Sequence, residues 1–343
     1  MKKVIVTGGA GFIGSHTSVE LFNAGYLPVI VDHFGASEPG IVDRLNQITG
    51  SELPVHRVDC RDGEALARVF AEHGEVFGVI HFAAHKAVGV SVEKPLDYYD
   101  NNLNSLVSVL REMKRAGVLH FVFSSSATVY GQPDQLPVTE ASPLKPAESP
   151  YGSTKQICEA ILNDVVASKQ ELKSVTLRYF NPVGAHPSAL IGELPIGKPE
   201  NLVPFITQTA VGIRDQLVVF GDDYPTQDGT AIRDYIHVVD LAKAHVRALN
   251  WLSQRPTRCF NEPFNVGTGR GTSVLEAIQA FERASGTKLN YRIGPRRPGD
   301  VVECYANVDK ARQQLEWQAE LSITDAMRDA YRWQLSLRDN PLE

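Results

Sequence analysis

The sequence is poor in the features that mark several protein classes. Its 343 residues hold four cysteines, Cys60, Cys158, Cys259 and Cys304, scattered without a C-x-x-C pair. That argues against a disulfide framework or a zinc site and points to a reducing, cytoplasmic setting. The ten histidines show no H-E-x-x-H or comparable ligand spacing, so no metal is expected. No apolar run approaches the ~20 residues that span a bilayer. The opening MKKVIVTGGAGFIG is broken by Gly8, Gly9 and Gly11 and lacks a small-residue cleavage site, so it reads as a strand and a loop, not a signal peptide. Positive charge is not in excess: the formal net charge is -6, which disfavours nucleic acid and anionic membrane as partners. Low-complexity tracts and internal repeats are missing as well.

What is present is an alternation of short apolar runs and longer helical patterns. KVIVTGG, PVIVDH, VHRVD, GVIHFAA, HFVFSSS and SVTLRYF read as buried strands of a parallel sheet. SHTSVELFNAG, GEALARVFAEHG and NSLVSVLREMKRAG carry helical period between them, with glycines placed as C-caps. Repeated strand and helix imply an α/β fold, a doubly wound parallel sheet of Rossmann type. The rhythm changes near Phe180. Residues 181–234 are rich in Pro, Gly and Asp, DYIHVVDLAKAHVRALNWL and FNVGTG return to strand and helix, and helices are expected at 273–285 and 322–335. The expected organisation is a dinucleotide-binding domain over 1–180, rejoined by 235–268. A smaller mixed α/β substrate domain comes from 181–234 and 269–343.

VTGGAGFIGS sets Gly8, Gly11 and Gly14 between the first strand and the first helix. Glycine permits the tight turn and lets backbone N–H groups approach a pyrophosphate, whose charge a helix N-terminus favours. Asp32 ends the second strand, where a carboxylate accepts from an adenosine ribose and repels a 2'-phosphate, which selects NAD over NADP. Asp59, in VDCRD after the third strand, falls near the adenine, and HFAAHKAV after the fourth gives Phe82 and Lys86.

The fifth strand runs into SSSATVYG, and SPYGSTK follows 25 residues later. In a doubly wound sheet the strand C-termini face the cofactor crevice, which brings Ser124, Ser125 and Ser126 there. Tyr151 and Lys155 lie one helical turn apart on one face. Removing hydrogen from a carbinol carbon also requires taking the hydroxyl proton. Tyr151 is the candidate acceptor, Lys155 and a cofactor cation are expected to lower its pKa, and Ser126 is expected to orient the substrate oxygen.

These motifs resemble the extended short-chain dehydrogenase/reductase family. RYFNPVGAHPSALIGE, YPTQDGTAIRDYIHVVDLA and PRRPGD narrow the resemblance to its UDP-glucose 4-epimerase branch, over essentially the whole chain. The resemblance implies NAD contacts at Gly8, Gly11, Phe12, Ile13, Gly14, Asp32, Asp59, Cys60, Phe82, Lys86, Asn101, Tyr151, Lys155 and Tyr179. It implies UDP-sugar contacts at Ser126, Tyr151, Asn181, Asn201, Leu202, Val218, Phe220, Arg233, Arg297 and Asp300, with Cys304 at the wall facing the hexose 2-substituent. Ala84 and His85 stand where the family usually has Gly-Leu, and Val90 where it has Glu. The implied reaction is 4-epimerisation of UDP-hexoses through a transient 4-keto sugar, extended by the small Cys304 to the N-acetylated pair. The implied assembly is a homodimer through helices near 101–116 and 151–167. Two other readings are a nucleotide-sugar 4,6-dehydratase and a non-catalytic NAD-sensing module. The first is opposed by Ala127 and Thr128, where related dehydratases carry Asp-Glu. The second is opposed by the presence of both Tyr151 and Lys155. A net dehydrogenase that consumes free NAD is a further reading.

Overall fold

A computed structural model describes residues 1–297 and 301–342. β1 (Lys2–Thr7), β2 (Tyr26–Asp32), β3 (Val55–Arg57), β4 (Val76–His81), β5 (His120–Ser124) and β6 (Leu172–Tyr179) form at the six apolar runs. Together with Cys259–Val266 they make one seven-stranded sheet in the order Cys259–Val266, β6, β5, β4, β1, β2, β3, with every pairing parallel. The runs are β-branched and apolar because both faces are covered: Val4, Ile5, Val6, Val29, Ile30 and Val31 are all inaccessible to solvent. Each such side chain contributes about 1.5–3 kcal/mol on burial.

Helices Phe12–Asn23 and Val238–Ser253 cover one face, through Leu21, Leu241, Ala244 and Leu249. Helices Gly63–His73, Pro95–Arg115 and Pro150–Ala167 cover the other, through Leu66, Phe70, Leu106, Val109, Cys158 and Leu162. β1 has β2 on one side and β4 on the other, so the direction of winding reverses there. A crevice opens beyond the C-terminal ends of strands at such a reversal.

The second, smaller unit has no long strand. Leu217–Phe220 pairs with Tyr291–Gly294, Ile232–Arg233 lies between Thr272–Ser273 and Glu303–Cys304, and Asn181–Val183 pairs with Tyr235–His237. Helices Leu202–Ala210, Val274–Ser285 and Ile323–Asp339 supply its core through Ile206, Phe281 and Met327. Capping boxes at Ser273/Glu276 and Ser322/Asp325 start two of them, beside the positions expected from period. Helix Leu202–Ala210 falls in the stretch expected to be irregular. Its nine residues are too few for a helical period to stand out. Among the described residues no helix is long and apolar enough to cross a membrane.

Candidate active site

The glycine loop turns at the C-terminal end of β1. Gly8 has φ +68°, and a Cβ there would stand 2.8 Å from the Ala83 nitrogen; one on Gly14 would stand 2.2 Å from the Gly8 oxygen. Only glycines let loop, helix and β4 close up this far. Gly11 caps the following helix without any side-chain bond, so the first turn, with Phe12, Ile13 and Gly14, presents backbone N–H groups to the crevice. Asp32 ends β2. Its Oδ2 accepts from Ala10 N (3.1 Å), and its Oδ1 accepts from Phe34 N (2.8 Å) and Ser37 Oγ (3.1 Å). The carboxylate therefore ties the glycine loop to the loop after β2, and its remaining lone pairs are open to a ribose.

Thr7 Oγ1 and His81 Nδ1, 2.7 Å apart, join the ends of β1 and β4. Phe82 follows: its N–H donates to Thr7 O, and its ring lies 4.7 Å from that of His245. Asn101 is buried in helix Pro95–Arg115 and donates to Asn102 Oδ1. Beyond β3, Asp59 pairs with Arg61 at 2.7 Å, and Arg61 also reaches Asp100 at 2.6 Å. The Arg61 hydrogen bond holds the Asp59 carboxyl below its ordinary range. Cys60 is buried, which pushes its thiol up to about 12.

Ser149 caps helix Pro150–Ala167 by accepting from Gly152 N, with Pro150 in the first turn. Tyr151 and Lys155 are both on the buried face. Lys155 Nζ donates to Ser124 O at 2.8 Å, sits 4.8 Å above the Phe123 ring and is 5.9 Å from the centre of the Tyr151 ring. Ser124 Oγ donates to the Tyr179 hydroxyl at 3.0 Å. Ser126 heads the 3-10 turn Ala127–Tyr130, accepting from Thr128 N.

The electrostatics differ from the expectation that Lys155 lowers the Tyr151 pKa. Burial raises it well above its ordinary value, Tyr179 adds to the rise, and only the Ser126 hydroxyl opposes among the nearer groups. Burial also draws Lys155 down to about 8. The ammonium is spent on the Ser124 carbonyl, so the protein by itself keeps the tyrosine protonated, and a further cation is required to favour tyrosinate.

Behind the serines lies a set of groups the sequence reading missed. Ser125 Oγ donates to Glu159 Oε1 at 2.6 Å, and Glu159 Oε2 pairs with Arg178 Nη2 at 2.6 Å. Arg178 Nη1 donates to the Tyr130 hydroxyl, which donates to Asn265 Oδ1. The available signal was Glu159 at two turns beyond Tyr151 on the same helical face.

The sugar-side candidates come mainly from the second unit. Asn181 is exposed, with its backbone N–H on Asp234 O. Asn201 precedes helix Leu202–Ala210, whose first residue is Leu202, and its Nδ2 donates to Glu193 Oε1 at 2.6 Å. Lys86 meets the same oxygen at 3.2 Å. Glu193, unmarked in the sequence reading, thus joins a residue expected on the cofactor to one expected on the sugar nucleotide. Val218 and Phe220 share one short strand, with the Arg297 guanidinium 4.9 Å over the Phe220 ring. Arg233 is the register partner of Cys304. Cys304 packs against the cluster of Val129, Tyr130, Val138, Phe180 and Ala306, and burial pushes its thiol up to about 11. Asp300 lies outside the described residues.

Histidine spacing suggested no metal ligands, yet His56 and His73 face each other through Nε2 atoms 2.7 Å apart, with Glu72 beside them. They lie at the β3 edge of the sheet and belong to no part of the crevice.

A family model described as GDP-mannose 4,6 dehydratase matches residues 5–330. The UDP-glucose 4-epimerase of Neisseria meningitidis serogroup B is 50% identical, over 97% of this chain and 97% of its own. The crystal structure of the Stenotrophomonas maltophila UDP-glucose-4-epimerase, with bound NAD and formylated UDP-arabinopyranose, is 48% identical. It matches with a TM-score of 0.95 over 99% of each chain. That of the Bifidobacterium longum UDP-glucose 4-epimerase, in complex with NAD+ and UDP, is also 48% identical and matches at 0.93 over 99% of each chain. By the matched residues this chain belongs to the broad family that the dehydratase model describes and, within it, to the UDP-glucose 4-epimerase family.

Proposed function

We propose that the protein interconverts UDP-galactose and UDP-glucose by inverting C4, with NAD held in the crevice. The observation that carries this is the burial of Tyr151, Lys155 and Ser126 together at the end of β5, with Ala127 and Thr128, neither of them an acid, directly after Ser126. A 4,6-dehydratase must expel a hydroxyl from C6 and needs an acid and a base at that place. NAD and UDP accompany the relatives' structures, and the residues here suit both. The glycine-lined turn and the side-chain-free helix start fit a pyrophosphate, and Asp32 fits an unphosphorylated ribose. Bound there, NAD would supply reversible two-electron acceptance from the sugar C4 together with its own positive charge.

That charge is the further cation the tyrosine requires. Tyr151 Oη then takes the proton from the sugar O4 and returns it after the 4-keto sugar has presented its other face. Ser126 Oγ holds O4 in line. Lys155, anchored on Ser124 O, keeps a cation at the site's floor. On the sugar-nucleotide side, Arg233 and Arg297 neutralise the diphosphate, since a planar guanidinium matches phosphate oxygens. Phe220 gives the uracil an apolar face, and Asn181, Asn201, Leu202 and Val218 complete the wall.

The test is product analysis after incubating the pure protein with UDP-galactose and no added NAD. UDP-glucose is expected at catalytic turnover; a 4-keto-6-deoxy sugar, or NADH released in stoichiometric amount, overturns the reading. Extraction of the protein-bound nucleotide is expected to give NAD; mostly NADP refutes the role of Asp32. Cys304 supports a second substrate pair, the N-acetylated UDP-hexoses, because a small apolar side chain on the cluster of Val129, Tyr130 and Phe180 leaves space for an acetamide. Two copies are proposed to associate through helices Pro95–Arg115 and Pro150–Ala167, which expose Leu96 and Ile157. Sedimentation of the purified protein tests this. The four free cysteines suit a cytoplasmic location.

A further inference from the structure

The proton-transfer groups stand on a buried ion pair whose part in the reaction is not explained by packing alone. Tyr151, Lys155 and Glu159 occupy one face of helix Pro150–Ala167 at successive turns, and all three are buried. The Glu159 carboxylate is fully engaged. Oε1 accepts from Ser125 Oγ (2.6 Å) and Arg178 Nε (3.1 Å), and Oε2 accepts from Arg178 Nη2 (2.6 Å) and Nε (3.2 Å). Ser125 is the middle residue of the serine turn. Ser124 before it gives its carbonyl to Lys155, and Ser126 after it faces Tyr151. The Ser125 N–H is already fixed on Leu177 O at 2.9 Å. Its side chain has one strong partner, Glu159.

We propose that Glu159 is a positioning residue for the epimerisation: it pins the serine turn through Ser125 and supplies the negative charge that keeps the Lys155 side chain an ammonium. The inference rests on the proposed function for its kinetic consequence, though not for its electrostatics.

The electrostatic half follows from what surrounds Lys155. Its own helix brings Tyr151, Cys158 and Glu159, β4 brings His81, and β5 brings the Phe123 ring and the Ser124 carbonyl. Burial raises Tyr151 far above neutrality, pushes Cys158 up to about 12 and draws His81 down to about 3. All three are therefore neutral at working pH. Burial brings Lys155 down to about 8, with Cys158 and then Glu159 acting against it, and Glu159 is the carboxylate of this set. Arg178 pairs with the carboxylate from β6 at 2.6 Å, and its positive charge offsets part of what Glu159 exerts on Lys155. An ammonium that titrates near neutrality fails as a cation on the alkaline side, so the position of Glu159 sets how far into alkali the site works.

Three variants separate the two parts. Ser125→Ala removes the peg and keeps the charge: kcat is expected to fall by up to on the order of 10²-fold, as a small misplacement of the reacting groups does, with KM and the alkaline limb of the pH profile unchanged. Glu159→Gln removes the charge and is expected to move the alkaline limb of kcat to lower pH by on the order of one unit. That variant leaves Arg178 unpaired, so Glu159→Gln with Arg178→Met is the companion that restores a neutral, foldable interior and is expected to keep a smaller displacement in the same direction. The direct readout is the titration of Lys155 by NMR of lysine labelled at Cε, assigned with Lys155→Met. It is expected to fall in both Glu159 variants, less in the double one. A parent titration matched by the double variant overturns the electrostatic role, and wild-type kcat in Ser125→Ala overturns the pinning role. If the parent protein fails to epimerise while the Lys155 titration moves as expected, the proposed function falls and the role of Glu159 stands.

Discussion

The two sides of the crevice are built differently. On the sheet side, the end of the five-residue β5 and the long helix Pro150–Ala167 bring Ser124, Ser126, Tyr151 and Lys155 into a dry interior where hydrogen bonds, two aromatic rings and an ion pair fix each group. On the opposite side, strands of two to four residues carry Asn181, Phe220 and Arg233 on a surface that is largely open, and Phe220 keeps 40% of its area exposed. Rigid burial suits proton transfer, which tolerates little misplacement of the reacting atoms. An open, lightly held wall suits a ligand that must enter, turn over and leave.

Tyr151→Phe attacks the rigid side at its centre. It removes one hydroxyl and keeps the shape, so turnover should fall on the order of 10²–10⁴-fold while UDP binding, followed calorimetrically, stays near wild type. Near-normal turnover would place the base elsewhere.

The ion pairs give the next largest contrast. Arg178→Met strands a buried Glu159 and should cost about 3–5 kcal/mol of stability in denaturant unfolding. Lys86→Met breaks a pair whose lysine is 58% exposed and should cost less than about 1 kcal/mol. Equal losses would erase the distinction between the two sides.

Cys304→Tyr tests the loose wall. Overpacking at this position costs roughly 1–3 kcal/mol, about 5- to 150-fold, and the loss should fall on N-acetylated UDP-hexoses and spare the UDP-glucose pair. An equal loss on both pairs assigns the wall to other residues.

A further contrast concerns acid. His16 and His81 are drawn down to about 3 and His245 to about 4, all by burial, from an ordinary 6.5. Between those values the unfolded chain binds protons that the folded chain refuses, so stability rises with pH in that window. It is fully present above about pH 6.5 and is lost progressively as the pH falls towards 3. Unfolding midpoints measured across that range should decline; a flat profile would mean these imidazoles ionise inside the fold.

The sheet was legible because its strands are continuous apolar runs, and the glycine loop and Tyr151/Lys155 because their spacing is local. Glu193 was not, since it meets Lys86 across 107 residues and its neighbours in sequence give no sign of it. The same holds for Arg178 and Ser125, whose link to Glu159 exists only once β5, β6 and the helix are packed. The short strands near Arg233 and Cys304 were hidden because two-residue strands have no period to read. The setting of Tyr151 was only partly legible, because spacing reports that a lysine is near but not that its ammonium donates to the Ser124 carbonyl.

Asp32 bonds to Ala10 on the glycine loop and to Phe34 and Ser37 on the next one, and this makes cofactor choice hard to evolve. Exchanging the acid for a small residue would admit a 2'-phosphate and at the same moment unfasten the turn that cradles the pyrophosphate. A lineage could change its nicotinamide nucleotide only by passing through a weakened binder or by first acquiring another fastening for Ala10.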